Sequence, residues 1–350
     1  MDLLSGCQER SAAVSLDSLL GPCLVTGGGG FLGGALVARL TARGCRVRSF
    51  SRRKYPALSA LGVEQIQGDL RRPEDVLRAC ADVATVFHTA AKAGVWGAYD
   101  DFFAANVTGT RHVLSACARS GVTRMIYTSS PSVVFDGRNM EGVDESAPYP
   151  SAYPCAYPQT KALAEQEVLA AADGALAVMA LRPHLIWGPG DNHLVPRILA
   201  RGKRLARIGD GRNRVDTIYI DNAAHAHLLA AEALAHTPGL SGRVYFISQD
   251  EPVPLWWMVD QILAAGSQPP VRRTISLRKA YGIGALLEWG YKLLRLSAEP
   301  PMTRFVAEEL ATSHWFDISA AKRDLGYRPL VSIREGLEKL AHWLAQQSVH

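Results

Sequence analysis

"TGGGGFLG", residues 26–33, decides the fold. A short apolar run, Cys23-Leu24-Val25-Thr26, leads into it. "FLGGALVARLTARG" (31–44) follows, a stretch whose spacing predicts a helix with Gly44 just past its end. Gly27, Gly30 and Gly33 give GxxGxxG, and Gly28, Gly30 and Gly33 give GxGxxG. Such a turn lets the backbone come close to a pyrophosphate, which then lies at the positive end of the helix. A lone glycine triplet is a weak signal, but between a strand and a helix at the head of a β-α series it is a strong one.

Outward from this turn the alternation continues. "CRVRSFS" (45–51), "VEQIQGD" (63–69), "VATVFHTAA" (83–91) and "VTRMIYTSS" (122–130) read as further strands. "PEDVLRACAD" (73–82) and "NVTGTRHVLSACARSG" (106–121) read as intervening helices. The pattern predicts an α/β fold, a Rossmann-type doubly wound parallel sheet. We expect a tail over 1–21, a dinucleotide-binding domain over 22–183, and mainly a smaller substrate lobe over 184–350, with some segments returning to the first sheet.

The end of the second strand discriminates between cofactors. An NAD site places a carboxylate there for the ribose hydroxyls. Here Ser51-Arg52-Arg53 stands in that place, and no Asp or Glu occurs from Gly34 to Val63. Arg52 with Ser51 suits a 2′-phosphate, so NADP(H) is expected over NAD(H). Asp69 either accepts from the adenine amino group or caps the next helix. Phe31, Leu32, Leu70 and Ala90 complete the expected cofactor lining.

"YPSAYPCAYPQTKA" (149–162) repeats Tyr-Pro three times, but only Tyr157 has a lysine four residues on, Lys161. Positions i and i+4 share a helix face, and an ammonium beside a phenol lowers its pKa of ~10. Proline is tolerated in a first helical turn, so "PQTKALAEQEVLAAA" (158–172) reads as a helix starting near Pro158. Tyr149 and Tyr153 fall in the loop before it. "YTSSPS" (127–132) offers Thr128, Ser129, Ser130 and Ser132 as hydroxyls for a substrate oxygen. A tyrosine acid/base of this kind serves hydride transfer between an alcohol and a ketone.

These motifs together resemble an extended short-chain dehydrogenase/reductase of the 3β-hydroxysteroid dehydrogenase branch. "HTAA" (88–91), "NVTGT" (106–110), "LRPHLIWGPGD" (181–191) and "YIDNAAHAHLLA" (219–230) carry the likeness from about residue 22 to 340. "AAKAGVWGAYDDF" (90–102) and "TSHWFDISAAKRDLGY" (312–327) make the chain look most like the bacterial 2-alkyl-3-oxoalkanoate reductases of olefin biosynthesis. The resemblance implies Ser130 as catalytic serine and Tyr157 as acid/base. It implies Lys161 on the nicotinamide ribose, lowering the tyrosine pKa, and Asn106 as an organiser of the site. It also implies a homodimer. Ser51-Arg52 departs from the acidic residue common in the steroid enzymes.

The second half is less regular. His184, Trp187 and His193 lie at or beyond a strand end, where a substrate border and a core or rim role are both open. His225 and His227 are two apart on a helix and face different ways, so they are not read as metal ligands. In "AYGIGALLEWGYKLLRLSAEPP" (280–301), Glu288, Lys292 and Arg295 form a narrow polar stripe beside a wide apolar arc. Residues 280–296 are then a substrate lid, a peripheral membrane or biosynthetic-complex contact, or packing against the lobe or a second copy.

With 350 residues, 48% hydrophobic and 20% charged, the chain suits a globular protein. A net charge of +5 with dispersed basic residues does not argue for nucleic acid. The six cysteines, at 7, 23, 45, 80, 117 and 155, form no CxxC and read as reduced thiols of a cytoplasmic protein. No metal is expected. The composite expectation is an NADP(H)-dependent oxidoreductase that interconverts 3-oxo and 3-hydroxy groups on a large hydrophobic substrate, first among them a 2-alkyl-3-oxoalkanoate. A 3β-hydroxysteroid or sterol-4-carboxylate dehydrogenase is the alternative. A nucleotide-sugar epimerase or dehydratase and a non-catalytic NADP sensor stand further off.

Overall fold

A computed structural model describes residues 15–172 and 174–347. The first part runs α1 (Leu16–Leu20), β1 (Cys23–Thr26), α2 (Phe31–Ala42), β2 (Val47–Ser51), α3 (Pro56–Ala60), β3 (Glu64–Gln67), α4 (Pro73–Cys80) and β4 (Thr85–His88). Then come α5 (Tyr99–Phe102), a π-turn over Phe103–Thr108, α6 (Gly109–Ser120), β5 (Arg124–Thr128), β6 (Met140–Val143), α7 (Ala156–Ala170) and β7 (Ala177–Pro183). Shorter elements follow: β8 (Ile186–Trp187), α8 (Leu194–Arg201), β9 (Ala206–Ile208), β10 (Arg214–Val215), β11 (Ile218–Tyr219) and the long α9 (Ile220–His236). The chain closes with β12 (Arg243–Ile247), β13 (Val253–Pro254), α10 (Leu255–Ala265), β14 (Arg273–Ile275), α11 (Leu277–Leu293), α12 (Arg304–Glu309), β15 (His314–Phe316), α13 (Ser319–Leu325) and α14 (Ile333–Gln347).

Seven parallel strands form the main sheet in the order β12-β7-β5-β4-β1-β2-β3. Helices cover both faces, so β1 and β4 are buried at every position. The order reverses between β1 and β4, and at such a switch point the carboxyl ends of the strands open a crevice for ligands. A second sheet, β13-β10-β15-β6, joins residues 140–143 to three strands from the later chain. β12 lies beside β7 in the main sheet, and α9 packs on α2, β5 and β7.

Three local expectations change. The tail read over 1–21 lies outside the described residues up to 14, but its end is docked. Ser15 caps α1, Leu20 is fully buried, and Asp17 binds Arg46. The helix expected from Pro158 starts at Ala156, which puts Tyr157 inside its first turn and leaves Cys155 as N-cap. The helix expected over 106–121 is preceded by the π-turn, and Asn106 sits inside that turn rather than in regular helix. Among the described residues no helix is long and apolar enough to cross a membrane, all five cysteines are free, and no cluster could hold a metal.

Candidate active site

The glycine turn leaves β1 and enters α2. Gly27 has φ +71, and a Cβ at Gly33 would lie 2.2 Å from the Gly27 carbonyl oxygen, so the close packing of turn on helix requires glycine there. No side chain caps α2, which leaves the first-turn N–H groups of Phe31, Leu32 and Gly33 available to an anion. A cavity of about 370 Å³ opens directly on this turn, lined by Gly29, Gly30, Phe31, Pro189, Gly190 and Tyr219 among others. The residues present therefore fit a dinucleotide pyrophosphate.

At the end of β2, Ser51 Oγ accepts the Gly29 N–H at 3.3 Å, and Arg52 is exposed beside it. The nearest carboxylate in sequence, Glu64, is bound to Arg48 at 2.8 Å. Asp69 does not cap α4, whose N-cap is Arg72. Its carboxylate instead folds back on Arg71, with contacts to the backbone N–H at 2.9 Å and to the guanidinium at 2.5 Å. Those hydrogen bonds hold it down at about 2. The Leu70 carbonyl accepts from His112 Nδ1, and the Ala90 N–H donates to Thr26 Oγ1.

The three Tyr-Pro units separate by their hydroxyl partners. Tyr149 donates to Glu165 at 2.7 Å and Tyr153 to the Val133 carbonyl at 3.0 Å. Both are fastened to the scaffold. Tyr157 is partly exposed, and Ser130 lies near enough to its hydroxyl to favour the phenolate. Burial pushes the phenol up to about 12, Ser130 opposes this, and the charges of Glu309 and Cys155 add to the rise.

The hydroxyls after β5 separate in the same way. Thr128 Oγ1 is engaged by His227 at 2.8 Å, and Ser129 Oγ is buried without a partner. Ser130 Oγ accepts the Ser132 N–H at 3.2 Å and lies 2.9 Å from Ser132 Oγ. Of the four candidates, Ser130 is the one that acts on the Tyr157 hydroxyl.

Lys161 departs from expectation. Its Nζ donates to Tyr127 Oη at 2.7 Å and to the Thr128 carbonyl at 2.6 Å, and sits 4.1 Å from the Tyr127 ring centre. Burial pulls it down to about 7, with Glu165 acting the other way. In this structure the side chain is thus held by Tyr127 and the Thr128 carbonyl. The i,i+4 spacing puts both on one helix, but the ammonium turns toward β5. An ammonium has three donors, and two are used here.

Asn106 makes three bonds from inside the π-turn. Its Oδ1 accepts the Lys92 N–H at 2.7 Å, and its Nδ2 donates to the Lys92 carbonyl and to Thr160 Oγ1, each at 3.1 Å. It thus ties the segment after β4 to the first turns of α7. π-turns of this kind cluster at functional sites.

Sequence reasoning missed the chain behind it. Thr110 donates to the Asn106 carbonyl at 2.6 Å, so it accepts from His88 Nε2 at 3.0 Å. His88 Nδ1 then accepts from Thr26 Oγ1 at 2.7 Å. Burial, helped by Lys161, pulls His88 down to about 3, which keeps it neutral. Glu309 was missed as well: burial pushes it up to about 7, and its charge bears on Tyr157. In sequence it is an unremarkable helical acid.

Other candidates lie in the scaffold. His184 Nε2 meets His314 Nδ1 at 2.6 Å, and Trp187 is wholly buried edge-on to Tyr219. His193 is the N-cap of α8. His227 is buried on Thr128, while the His225 ring lies by Tyr327, so the two do face apart. In the stretch 197–214, Arg197 pairs with Glu299 and Arg207 with Asp260. Arg201 and Arg214 donate to backbone carbonyls, so much of this basic stretch is spent internally. Glu288 is buried against Arg304 while Lys292 and Arg295 are exposed, so the three residues of the polar stripe do not share one environment.

Comparisons with known proteins give the family. Residues 24–278 match the 3-beta hydroxysteroid dehydrogenase/isomerase family. A 2-alkyl-3-oxoalkanoate reductase of Stenotrophomonas maltophilia is 53% identical over 91% of this chain and 97% of its own length. One from Shewanella oneidensis is 48% identical over 95% and 89%. The mouse sterol-4-alpha-carboxylate 3-dehydrogenase, decarboxylating, is 34% identical over 91% and 89%. Among solved structures, MoeE5 in complex with UDP-glucose and NAD superposes with a TM-score of 0.72 at 26% identity, covering 94% of this chain and all of that one. The chain belongs to the 3-beta hydroxysteroid dehydrogenase/isomerase family, and it is an NAD(P)-dependent oxidoreductase acting on CH–OH groups.

Proposed function

We propose that this member of the family reduces a 2-alkyl-3-oxoalkanoate to the 2-alkyl-3-hydroxyalkanoate, with NADPH preferred. The observation that carries the reaction type is Tyr157 on the helix of Lys161, its hydroxyl free of the scaffold bonds that hold Tyr149 and Tyr153, with Ser130 nearby after β5 and an uncapped glycine turn at the sheet's switch point. The substrate class is supported by the 53% and 48% identities to proteins named for it.

Gly27, Gly30 and Gly33 with the N–H groups of Phe31 and Leu32 would hold the pyrophosphate. Ser51 and Arg52 would hold the 2′-phosphate, with Asp69, Leu70 and Ala90 on the adenosine and ribose side. When bound, the reduced nicotinamide supplies a hydride. Tyr157 gives its proton to the 3-oxo oxygen, and Ser130 hydrogen-bonds that same oxygen. At about 12 the phenol stays protonated at neutral pH, and the alkoxide it meets is far more basic, so the transfer is downhill. The third donor of Lys161 would serve the nicotinamide ribose, while Tyr127 and Thr128 keep the ammonium in place. Asn106 positions the Lys92 backbone and the start of α7.

Oxidation of a 3β-hydroxysteroid or 4-carboxysterol is the second reading, supported by the 34% identity to the sterol enzyme. A screen of NADPH oxidation across long-chain 2-alkyl-3-oxo acids, 3-oxosteroids and UDP-sugars decides between them. We expect turnover on the first class. Activity confined to steroids or to UDP-sugars overturns the proposal.

A further inference from the structure

We propose that the outward face of α11 docks on an anionic lipid surface. Leu286, Trp289 and Leu293 follow one another at intervals of three and four residues, so they share a face, and they are 67%, 64% and 65% exposed. Ile283, Leu294 and Leu296 extend the same patch. Scattered exposed leucines are ordinary, but a contiguous patch of large side chains centred on a tryptophan marks a contact surface.

The interior contacts fix which way the helix faces. Glu288 Oε1 accepts the Arg304 N–H at 2.7 Å, and Oε2 takes Arg304 Nε at 2.9 Å. Gly284 rests on the backbone of Thr303, where a Cβ would come within 2.6 Å. A helix rotated to bury its leucines would have to break the ion pair and drive a side chain into that backbone. The face that carries Ala280, Gly284 and Glu288 is therefore held in, and the leucine and tryptophan face is left outside.

Charge selects the occupant. From residue 271 to 297 the chain carries Arg272, Arg273, Arg278, Lys279, Lys292 and Arg295, and its one acid is the inward Glu288. All six basic residues are exposed. A two-fold contact between copies would set this basic rim against itself. An anionic headgroup layer over acyl chains matches both the rim and the centre.

The surface also adjoins the site. Trp96 Nε1 donates to the Leu296 carbonyl at 3.3 Å, and its ring lies edge-on to Tyr291 with centres 6.2 Å apart. Trp96 is four residues beyond Lys92, whose backbone is clamped by Asn106. A chain docked this way brings the loop beside the active site to the lipid. The docking itself does not depend on which substrate is reduced.

Sedimentation of the full chain with phosphatidylcholine vesicles, with and without phosphatidylglycerol, tests the surface. We expect binding to the anionic vesicles, weakened by salt, and weak or no binding to the neutral ones. Trp289→Ser with Leu293→Ser should lower the partition coefficient tenfold or more, on the order of what two buried apolar side chains supply. Lys279→Glu with Arg295→Glu should lower it by roughly tenfold or more while leaving the apolar face intact. Thermal midpoints should stay at the wild-type value, because all four side chains are exposed. Absence of binding to either vesicle overturns the proposal, as does equal binding by the apolar double variant. So does a dimer in equilibrium sedimentation that the apolar double variant splits.

Discussion

Replacing Tyr157 by Phe removes one oxygen and little else. The ring keeps its place in the first turn of α7, and the one protein group that favours the hydroxyl's charged form is Ser130. A neutral hydrogen bond contributes about 1 kcal/mol net, and relief of the hydroxyl's desolvation offsets part of that. The thermal midpoint should then move by no more than about 2–4 °C. Chemistry should respond on another scale. Loss of a positioned proton donor lowers kcat by roughly 10²–10⁴-fold, or about 2.7–5.5 kcal/mol. The assay is NADPH oxidation with the best substrate of the screen, beside a fluorescence titration of NADPH binding, which should be unchanged. Ser130→Ala should lose less, since Ser130 only hydrogen-bonds the oxygen, and the double variant should fall short of the product of the two losses. A Tyr157→Phe enzyme that keeps kcat within about threefold of wild type, with binding intact, refutes the acid role.

Three further outcomes follow from the same geometry. Asn106→Ala strands the Lys92 N–H and carbonyl and removes a partner of Thr160. We expect destabilisation by about 3 kcal/mol, roughly 4 °C in thermal midpoint, together with a fall in kcat; an Asn106→Asp variant as stable as wild type would contradict the donor assignments. Lys161 is held at about 7 against an ordinary 10.5, so between those values the unfolded chain binds a proton that the folded one does not. Wild-type stability should therefore rise with pH across that window and be lost as pH falls toward 7, and Lys161→Met should lack the slope, its advantage over wild type being widest near pH 7 and closing toward pH 10; parallel melting curves would show the lysine to be solvated. Arg52→Ser should raise KM for NADPH about tenfold or more and leave KM for NADH unchanged, and an equal effect on both would remove the 2′-phosphate assignment.

What the sequence disclosed follows from what is local. The strands were readable because helices bury both faces of β1 and β4, which makes them unbroken apolar runs. The glycine turn was readable because close approach of Gly33 to Gly27 excludes every other residue. Tyr157 could be told from Tyr149 and Tyr153 because the lysine lies on its own helix. What depends on distant partners was hidden. Nothing in the spacing of Tyr157 and Lys161 says that β5 supplies a tyrosine and a carbonyl to draw the ammonium away. Glu288 was grouped with Lys292 and Arg295 in one polar stripe because a helical pattern sorts residues by type and not by partner. Arg304, sixteen residues on, reverses that by giving the carboxylate a partner inside.

The hidden chain through His88 has a consequence for how the site is assembled. Its direction is fixed from one end: Thr110 must donate to the Asn106 carbonyl, so it can only accept from His88, which leaves the other ring nitrogen to accept from Thr26. Thr26 in turn accepts from the Ala90 N–H, beside the glycine turn. Asn106 carries the path on to Thr160, whose hydroxyl bonds the Ala156 and Tyr157 carbonyls. One buried run of hydrogen bonds therefore joins the cradle at β1 to the turn that bears Tyr157. A histidine held near 3 does not take up a second proton at working pH, so the run keeps one polarity. Hydride and proton must reach adjacent atoms of one substrate, and geometric error between the two donors is expensive in rate. A neutral, singly directed path between the two is a physical means of keeping that error small without placing a charge in the core.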